Sequence, residues 1–143
     1  MKKIFALLLA LALFVSLAAC GSKPLPVKFG KVTSVETIGE NAEAIVLSME
    51  KPSSSQGAER DVYIATVDYI FTHASRDLEE LSVTAYSPSG SSIISFTIPS
   101  DIIANMRKVD ATGKWGTAGF CGYYYMNHTA YDKLVASIKA ANE

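Results

Sequence analysis

This 143-residue sequence has few thiol and imidazole side chains and no recognisable metal-binding motif. It contains two cysteines, Cys20 and Cys121, and two histidines, His73 and His128. It has no H-x-x-x-H pattern, no C-x-x-C pattern and no dense acidic loop, so no ligand set of recognisable spacing for zinc or calcium is present. The sequence therefore predicts no metal and no cofactor.

Long hydrophobic runs are also absent, except at the N-terminus. Lys2 and Lys3 precede an apolar run from Ile4 to Ala19, in which Ser16 is the only polar residue. The run is shorter than the ~20 residues of a membrane-spanning helix and has the layout of a secretory signal. Removing the two lysines from thirteen basic residues leaves eleven against fourteen acidic ones, a net charge of about −3. A charge this small argues against a nucleic-acid or polyanionic partner.

The end of the apolar run matches the bacterial lipobox. Its residues are Leu17-Ala18-Ala19-Cys20. In a lipobox the small residues fit the signal peptidase, and the cysteine thiol receives a diacylglycerol and becomes the new N-terminus. We expect a lipoprotein signal peptide over residues 1–19, a lipidated N-terminus and linker over 20–26, and one domain over 27–143. Cys20 is the predicted lipidation site, which predicts an extracytoplasmic protein held on the cell membrane.

Cys121 is then the only remaining thiol, so no disulfide is expected within the chain. Its neighbours are apolar or aromatic, which is typical of a free cysteine packed in a core. The alternative is a thiol nucleophile with His128 as its base. No third residue that would orient this pair is recognisable, and the core interpretation is favoured.

The hydrophobic pattern predicts an α+β fold, with an antiparallel sheet of two hairpins plus a C-terminal strand, packed with two main helices and one short helix. The predicted strands cover residues 27–38, 44–49, 80–86 and 93–98, with a last strand within 115–126. The predicted helices cover residues 61–76, 100–106 and the chain from Thr129 onward, where Thr129 and Asp132 have capping-box spacing. Residues 108–114 are predicted to be a loop. Ile102, Ile103 and Met106 are expected to face the sheet.

The segment from Asp61 to Arg76 has features of both a strand and a helix. Alternating large residues favour a strand, whereas a weakly apolar stripe at helical spacing favours a helix. The stripe consists of Asp61, Ala65, Asp68 and Thr72. The segment is also longer than the usual strand, so we predict a helix.

Residues 45–106 carry a resemblance to other bacterial proteins. Its two stretches read IVLSMEKPSSSQGAERDVYIATVDYIFTH and ELSVTAYSPSGSSIISFTIPSDIIANM. They resemble a group of small uncharacterised lipoproteins from Gram-positive, gut-type bacteria, although no tryptophan occurs on the strand before the turn. The resemblance implies a strand, a Pro-Ser loop, a helix, two strands around a Gly-bearing turn and a short helix. It implies no activity for any residue.

Aromatic residues are concentrated near the C-terminus. Six lie within seventeen residues: Trp115, Phe120, Tyr123, Tyr124, Tyr125 and Tyr131. On a strand, alternate side chains share a face, so Tyr123 and Tyr125 would lie on the same side. These aromatics either belong mainly to the core, which we favour, or form a binding face of Trp115, Tyr123 and Tyr125.

The sequence thus predicts a membrane-anchored extracytoplasmic lipoprotein that acts as a non-enzymatic binding or accessory domain. Its expected partners are the membrane, through the lipid anchor, and a cell-envelope glycan or protein. The alternative function is a small cell-envelope thiol enzyme or hydrolase that uses Cys121 and His128.

Overall fold

The computed structural model describes residues 23–111 and 122–143. Its strands are β1 (Leu25–Val27), β2 (Gly30–Gly39), β3 (Ala42–Met49), β4 (Glu80–Tyr86) and β5 (Ser92–Ile98). Its helices include α1 (Ala58–Thr72), α2 (Ser100–Ala111) and α3 (His128–Ala141), and residues 122–126 are also helical. The α+β class and both predicted hairpins are confirmed. No helix in the described part of the chain is long and apolar enough to span a bilayer.

The five strands form one sheet in the order β1-β2-β3-β4-β5. All neighbouring strands are antiparallel except β3 and β4, which are parallel. The expectation of an entirely antiparallel sheet is therefore wrong at this pair. The cause is α1, which connects β3 to β4 and allows the chain to return before β4 begins. The expected single strand over 27–38 is also divided, because a turn at 28–29 separates β1 from β2.

One face of the sheet forms the core. Leu47 on β3, Val83 on β4 and Phe96 on β5 lie on this face and are at most 5% exposed. Buried residues of all three labelled helices join them in a single cluster. The helix α1 is buried around most of its circumference, since every residue from Asp61 to Val67 is buried. This burial is typical of a helix in a core.

The opposite face of the sheet carries many small hydroxyl side chains. Ser82 and Thr97 are hydrogen-bonded through hydroxyl oxygens 3.1 Å apart. Ser95 Oγ donates to Thr84 Oγ1 over 3.3 Å. These hydrogen bonds link β4 to β5 and give the hydroxyl groups of this face partners within the sheet.

The chain after α2 differs most from the sequence-based expectation. Residues 122–126 are helical, so the predicted strand is wrong there, while residues 115–121 lie outside the described residues. The Asn127 amide donates to the Tyr123 carbonyl over 2.8 Å, which is a helical hydrogen bond between residues four apart. Asn127 also caps α3, because its side chain accepts from the Ala130 amide over 3.0 Å. The cap is therefore Asn127 and not Thr129, which is the residue that the capping-box spacing predicted.

The helix α2 is longer than expected. It begins at Ser100, as predicted, but ends at Ala111 rather than Met106, so the loop predicted over residues 108–114 is wrong at 108–111. Ile102, Ile103 and Met106 are buried, which confirms the face expected to contact the core. The additional turn carries Arg107, whose contacts with a neighbouring loop stabilise this part of the helix.

Candidate functional site

Two cations and several aromatic rings meet around Tyr125 at the surface. The Lys28 Nζ atom lies 4.4 Å from the centre of the Tyr125 ring, and the Arg60 Cζ atom lies 5.0 Å from it. Arg60 Cζ also lies 5.1 Å from the centre of the Tyr131 ring. With Phe29, these residues form what we call the Tyr125 cluster: Lys28, Phe29, Arg60, Tyr125 and Tyr131. Cations at these distances from aromatic faces are attracted by the ring quadrupole.

The turn between β1 and β2 positions the first two members of the cluster. Phe29 adopts a φ of 64°, an uncommon value for a residue with a side chain. Its carbonyl accepts from the Glu50 amide over 3.0 Å, and the Lys28 amide donates to Asp68 Oδ2 over 2.7 Å. These bonds tie the turn to β3 and α1, so Lys28 and Phe29 are held against the domain.

The other members come from three helical segments. Arg60 lies in the first turn of α1 and donates through Nη2 to the Tyr125 carbonyl. Tyr125 lies just before the Asn127 cap, and Tyr131 lies in the first turn of α3. The cluster therefore brings together segments that are distant in the sequence.

Ring contacts connect this surface cluster to the core. The Phe29 and Tyr125 ring centres are 5.7 Å apart and tilted by 45°. The Tyr131 ring meets Tyr63 edge-on at 6.3 Å, and Tyr63 stacks on Phe96 at 4.8 Å. Since Tyr63 and Phe96 are buried, the aromatic side chains of the cluster are anchored by core packing.

The cations of the Tyr125 cluster have no carboxylate partner among the described side chains. The ion pair in this part of the chain joins Lys51 to Asp61 at 2.8 Å and includes neither Lys28 nor Arg60. Arg60 uses one arm of its guanidinium for the Tyr125 carbonyl. The remaining donors of Arg60 and the Lys28 ammonium can bind an anionic or polar ligand.

Acidic side chains influence the Tyr131 side of the cluster. Burial raises the pKa of the Tyr131 phenol to about 12, and the Arg60 guanidinium opposes this rise. Glu59 and Asp132 add to the rise through their negative charges. A carboxylate also lies on the Lys28 side of the cluster, where Asp68 Oδ2 accepts from the Lys28 amide.

The structure places the three residues of the predicted binding face differently. Trp115 lies outside the described residues. Tyr125 is 39% exposed, whereas Tyr123 is half-buried against the core with its ring 5.2 Å from that of Tyr124. Successive residues of a helix are about 100° apart, so Tyr123 and Tyr125 do not share a face as they would on a strand. Their role in binding stays a prediction.

No protein-family model, curated protein or solved structure matches this chain.

The thiol-enzyme alternative gains no support from the described residues. His128 is the exposed first residue of α3, and Cys121 lies outside the described part of the chain, as does Cys20. The second histidine, His73, lies at the end of α1, with Nε2 2.7 Å from the Pro26 carbonyl oxygen. The described residues contain no group of three or more histidine, cysteine or acidic side chains that could bind a metal.

A second surface feature is an open groove of about 640 Å³ between α2 and the loop before β4. Leu78 and Ile103 form its apolar floor. Arg107 stabilises one wall by donating to the carbonyls of Ser75, Arg76 and Leu78. The guanidinium thus has a structural role, and the groove offers a less specific site than the Tyr125 cluster.

Proposed function

We propose that this protein is a membrane-anchored extracytoplasmic lipoprotein whose domain binds a component of the cell envelope and catalyses no reaction. The anchor is Cys20, and the binding surface is the Tyr125 cluster. The observation that carries the binding part of the proposal is the pair of cations, Lys28 and Arg60, held over one partly exposed aromatic ring.

The anchoring part rests on the sequence around Cys20. A positively charged start, an apolar run and small residues before the cysteine are all in the order that a lipoprotein signal requires. Two acyl chains on the cysteine would hold the protein on a bilayer without a spanning helix, because each buried methylene contributes about 0.8 kcal/mol.

The binding part rests on preorganisation. Aromatic and arginine side chains are enriched where proteins bind partners tightly, and they contribute most when they are already fixed before binding. Here the Phe29 turn is tied to two neighbouring elements, and Arg60 is held by the Tyr125 carbonyl. The Phe29 turn and Arg60 would therefore lose little conformational freedom when a ligand binds.

The non-catalytic part rests on the residue types available. The sequence offers one thiol besides Cys20 and two histidines, without a motif that pairs a nucleophile with a base. A binding or accessory role needs no such pairing.

The test is cosedimentation of the full-length lipidated protein, in detergent, with isolated cell-envelope fragments. We expect the wild type to sediment with the fragments and the Tyr125→Leu variant to bind about fivefold more weakly or worse, because the ring that organises the cluster is lost. Tyr86→Leu, which changes a tyrosine on β4, is the matched control and should bind like the wild type. A wild type that stays in solution, or equal binding by both variants, would contradict the proposal.

A further inference from the structure

The two outermost strands of the sheet have protected edges. On β5, the Asn142 side chain forms hydrogen bonds with both the amide and the carbonyl of Thr97. On β1, Pro26 has no amide N–H, and its carbonyl oxygen accepts from His73 Nε2 over 2.7 Å. A strand whose outer backbone groups are blocked or already bonded is a poor template for pairing with another chain.

The outer side of β2 is open over most of its length. The short strand β1 pairs only with the start of β2, from Gly30 to Val32. The rest of β2, from Thr33 to Gly39, pairs with β3 on one side, and no strand in the described part of the chain pairs with it on the other. The backbone N–H and C=O groups on that side are therefore available to a further strand.

Two irregularities bound the regular part of this open side. The pairing of β2 with β3 shifts between Val32 and Ser34, and again between Thr37 and Gly39. Between these shifts, residues Ser34–Thr37 pair with β3 in continuous register. Because bulges bend a strand and twist its edge, an added strand fits best along this regular stretch. We call Ser34–Thr37 the β2 edge.

The side chains of the β2 edge indicate what kind of strand it can accept. Val35 is 44% exposed, and Ile38, which lies just beyond the edge, is 38% exposed. Glu36 is the only charged residue between Thr33 and Gly39. Its Oε2 atom is buried and has no hydrogen-bond partner among the described residues. A buried carboxylate oxygen without a donor costs free energy, so a partner that supplies a donor at this position would be favoured.

We propose that the β2 edge accepts an extended segment of another protein as a sixth strand, with a lysine or arginine of that segment opposite Glu36. Backbone hydrogen bonds along the edge supply affinity, and the alternating side chains of the segment supply specificity. Residues directly opposite each other on neighbouring strands have Cβ atoms about 4.5–5.5 Å apart, so the cation can donate to Glu36 Oε2. The β2 edge shares no residue with the Tyr125 cluster, and this inference goes beyond the proposed function.

Charge argues against a second copy of this chain as the occupant. If two β2 edges paired about a twofold axis, the axis would pass through one residue of this short stretch. The two Glu36 side chains would then lie opposite or diagonal to each other, at most about 7–8 Å apart, and their carboxylates would repel. No other charged residue between Thr33 and Gly39 offsets this repulsion. A different chain with a cation at that position avoids it.

The test uses the full-length lipidated protein in a nonionic detergent and measures peptide binding by fluorescence anisotropy. The probes are labelled heptapeptides of alternating threonine and valine, with either lysine or glutamate as the central residue. We expect the lysine peptide to bind about fivefold more tightly than the glutamate peptide, because only lysine can pair with Glu36. A third probe keeps the lysine but has proline on both sides of it. It should bind about fivefold more weakly than the lysine peptide, since proline cannot donate to a strand ladder.

Charge reversal in the protein provides the second arm. We expect Glu36→Lys to prefer the glutamate peptide over the lysine peptide, whereas Glu143→Lys should keep the preference of the wild type. Glu143→Lys is the matched control, because it makes the same charge change at an exposed residue next to Asn142, on the β5 side of the sheet. In the wild type, amide exchange over residues 33–39 should slow when the lysine peptide is bound.

Several results would overturn the inference. They are equal affinity for the lysine and glutamate peptides, undiminished binding of the proline peptide, and unchanged amide exchange over residues 33–39. These three are measured on the wild type, so they decide the question even if Glu36→Lys fails to fold. A folded Glu36→Lys variant that still prefers the lysine peptide would also overturn it. Sedimentation equilibrium covers the remaining occupant, because a wild-type dimer that the lysine peptide dissociates would assign the β2 edge to a second copy of the chain.

Discussion

The side-chain amide of Asn142 forms hydrogen bonds with both the backbone amide and the backbone carbonyl of Thr97. Its Oδ1 accepts from the Thr97 amide over 2.8 Å, and its Nδ2 donates to the Thr97 carbonyl over 2.8 Å. Nδ2 also donates to the Ile138 carbonyl over 2.7 Å. The end of α3 therefore covers part of the free edge of β5, where unpaired backbone groups would otherwise invite another strand.

Replacing this side chain should destabilise the domain. We expect Asn142→Ala to lower the free energy of unfolding by about 1–2 kcal/mol, because two hydrogen bonds to the β5 edge are lost while water can reach the freed groups. Urea denaturation gives the value, and Glu143→Ala, at the exposed next position, is the control. A stability equal to that of the control would contradict the role assigned to Asn142.

Gly30 should tolerate no side chain. A Cβ atom there would lie 2.5 Å from the Ser48 carbonyl oxygen on β3, which is backbone and cannot rotate away. We expect Gly30→Ala to lower stability by about 1–3 kcal/mol through this overlap. Gly39→Ala is the matched control, since its Cβ would make an ordinary 3.6 Å contact with Ala42. The two variants should differ clearly in thermal melting, and similar melting temperatures would refute the close approach.

Arg107 should be sensitive even to a substitution that keeps its charge. Its two Nη atoms donate to three carbonyls of the loop before β4, a fork that a lysine ammonium cannot reproduce. We expect Arg107→Lys to cost about 1–2 kcal/mol of stability and to speed amide exchange over residues 75–79. Arg76→Lys alters an exposed side chain of the same loop and should change neither quantity. Unchanged exchange in the Arg107 variant would show that the loop is held by other contacts.

The domain should lose stability in alkali. Burial raises the pKa of Tyr124 and of Tyr131 to about 12, above the ordinary value of 10.0, so the folded state favours the neutral phenols. Their contribution to stability is therefore fully present below pH 10 and is lost as the pH rises toward 12. Denaturation at a series of pH values should show this fall, and Tyr131→Phe should make it shallower. A stability that does not change between pH 9 and 12 would contradict the buried environment of these rings.

Local sequence patterns predict most of the individual elements but not how the strands pair. Strand alternation and turn residues locate both hairpins. The segment after Asp61 is correctly assigned to a helix, although α1 spans Ala58–Thr72 rather than the predicted 61–76. The parallel pairing of β3 with β4 depends on contacts between residues far apart in the chain, which no local pattern encodes. Asp61 and Ala65, two residues of the stripe that favoured the helix, are both buried.

The candidate site is predictable from the sequence only in part. Tyr125 stands out in an aromatic-rich segment. The strand predicted there, however, would put Tyr125 on the same face as Tyr123, and the helical segment does not. Lys28, Phe29 and Arg60 carry no motif, since each reaches the cluster through the tertiary packing of a separate element. A positive φ is expected from sequence alone only at residues such as glycine or asparagine. The positive φ of Phe29 could therefore not be predicted.

Lipidation of Cys20 underlies the proposed location of this protein on the membrane. Metabolic labelling with an alkyne fatty acid, followed by gel analysis and detergent partitioning, measures it directly in wild type and Cys20→Ser. The account predicts a labelled, processed wild type in the detergent phase and an unlabelled variant that keeps its signal sequence. A wild type without label, or two forms released as the same soluble species, would contradict it.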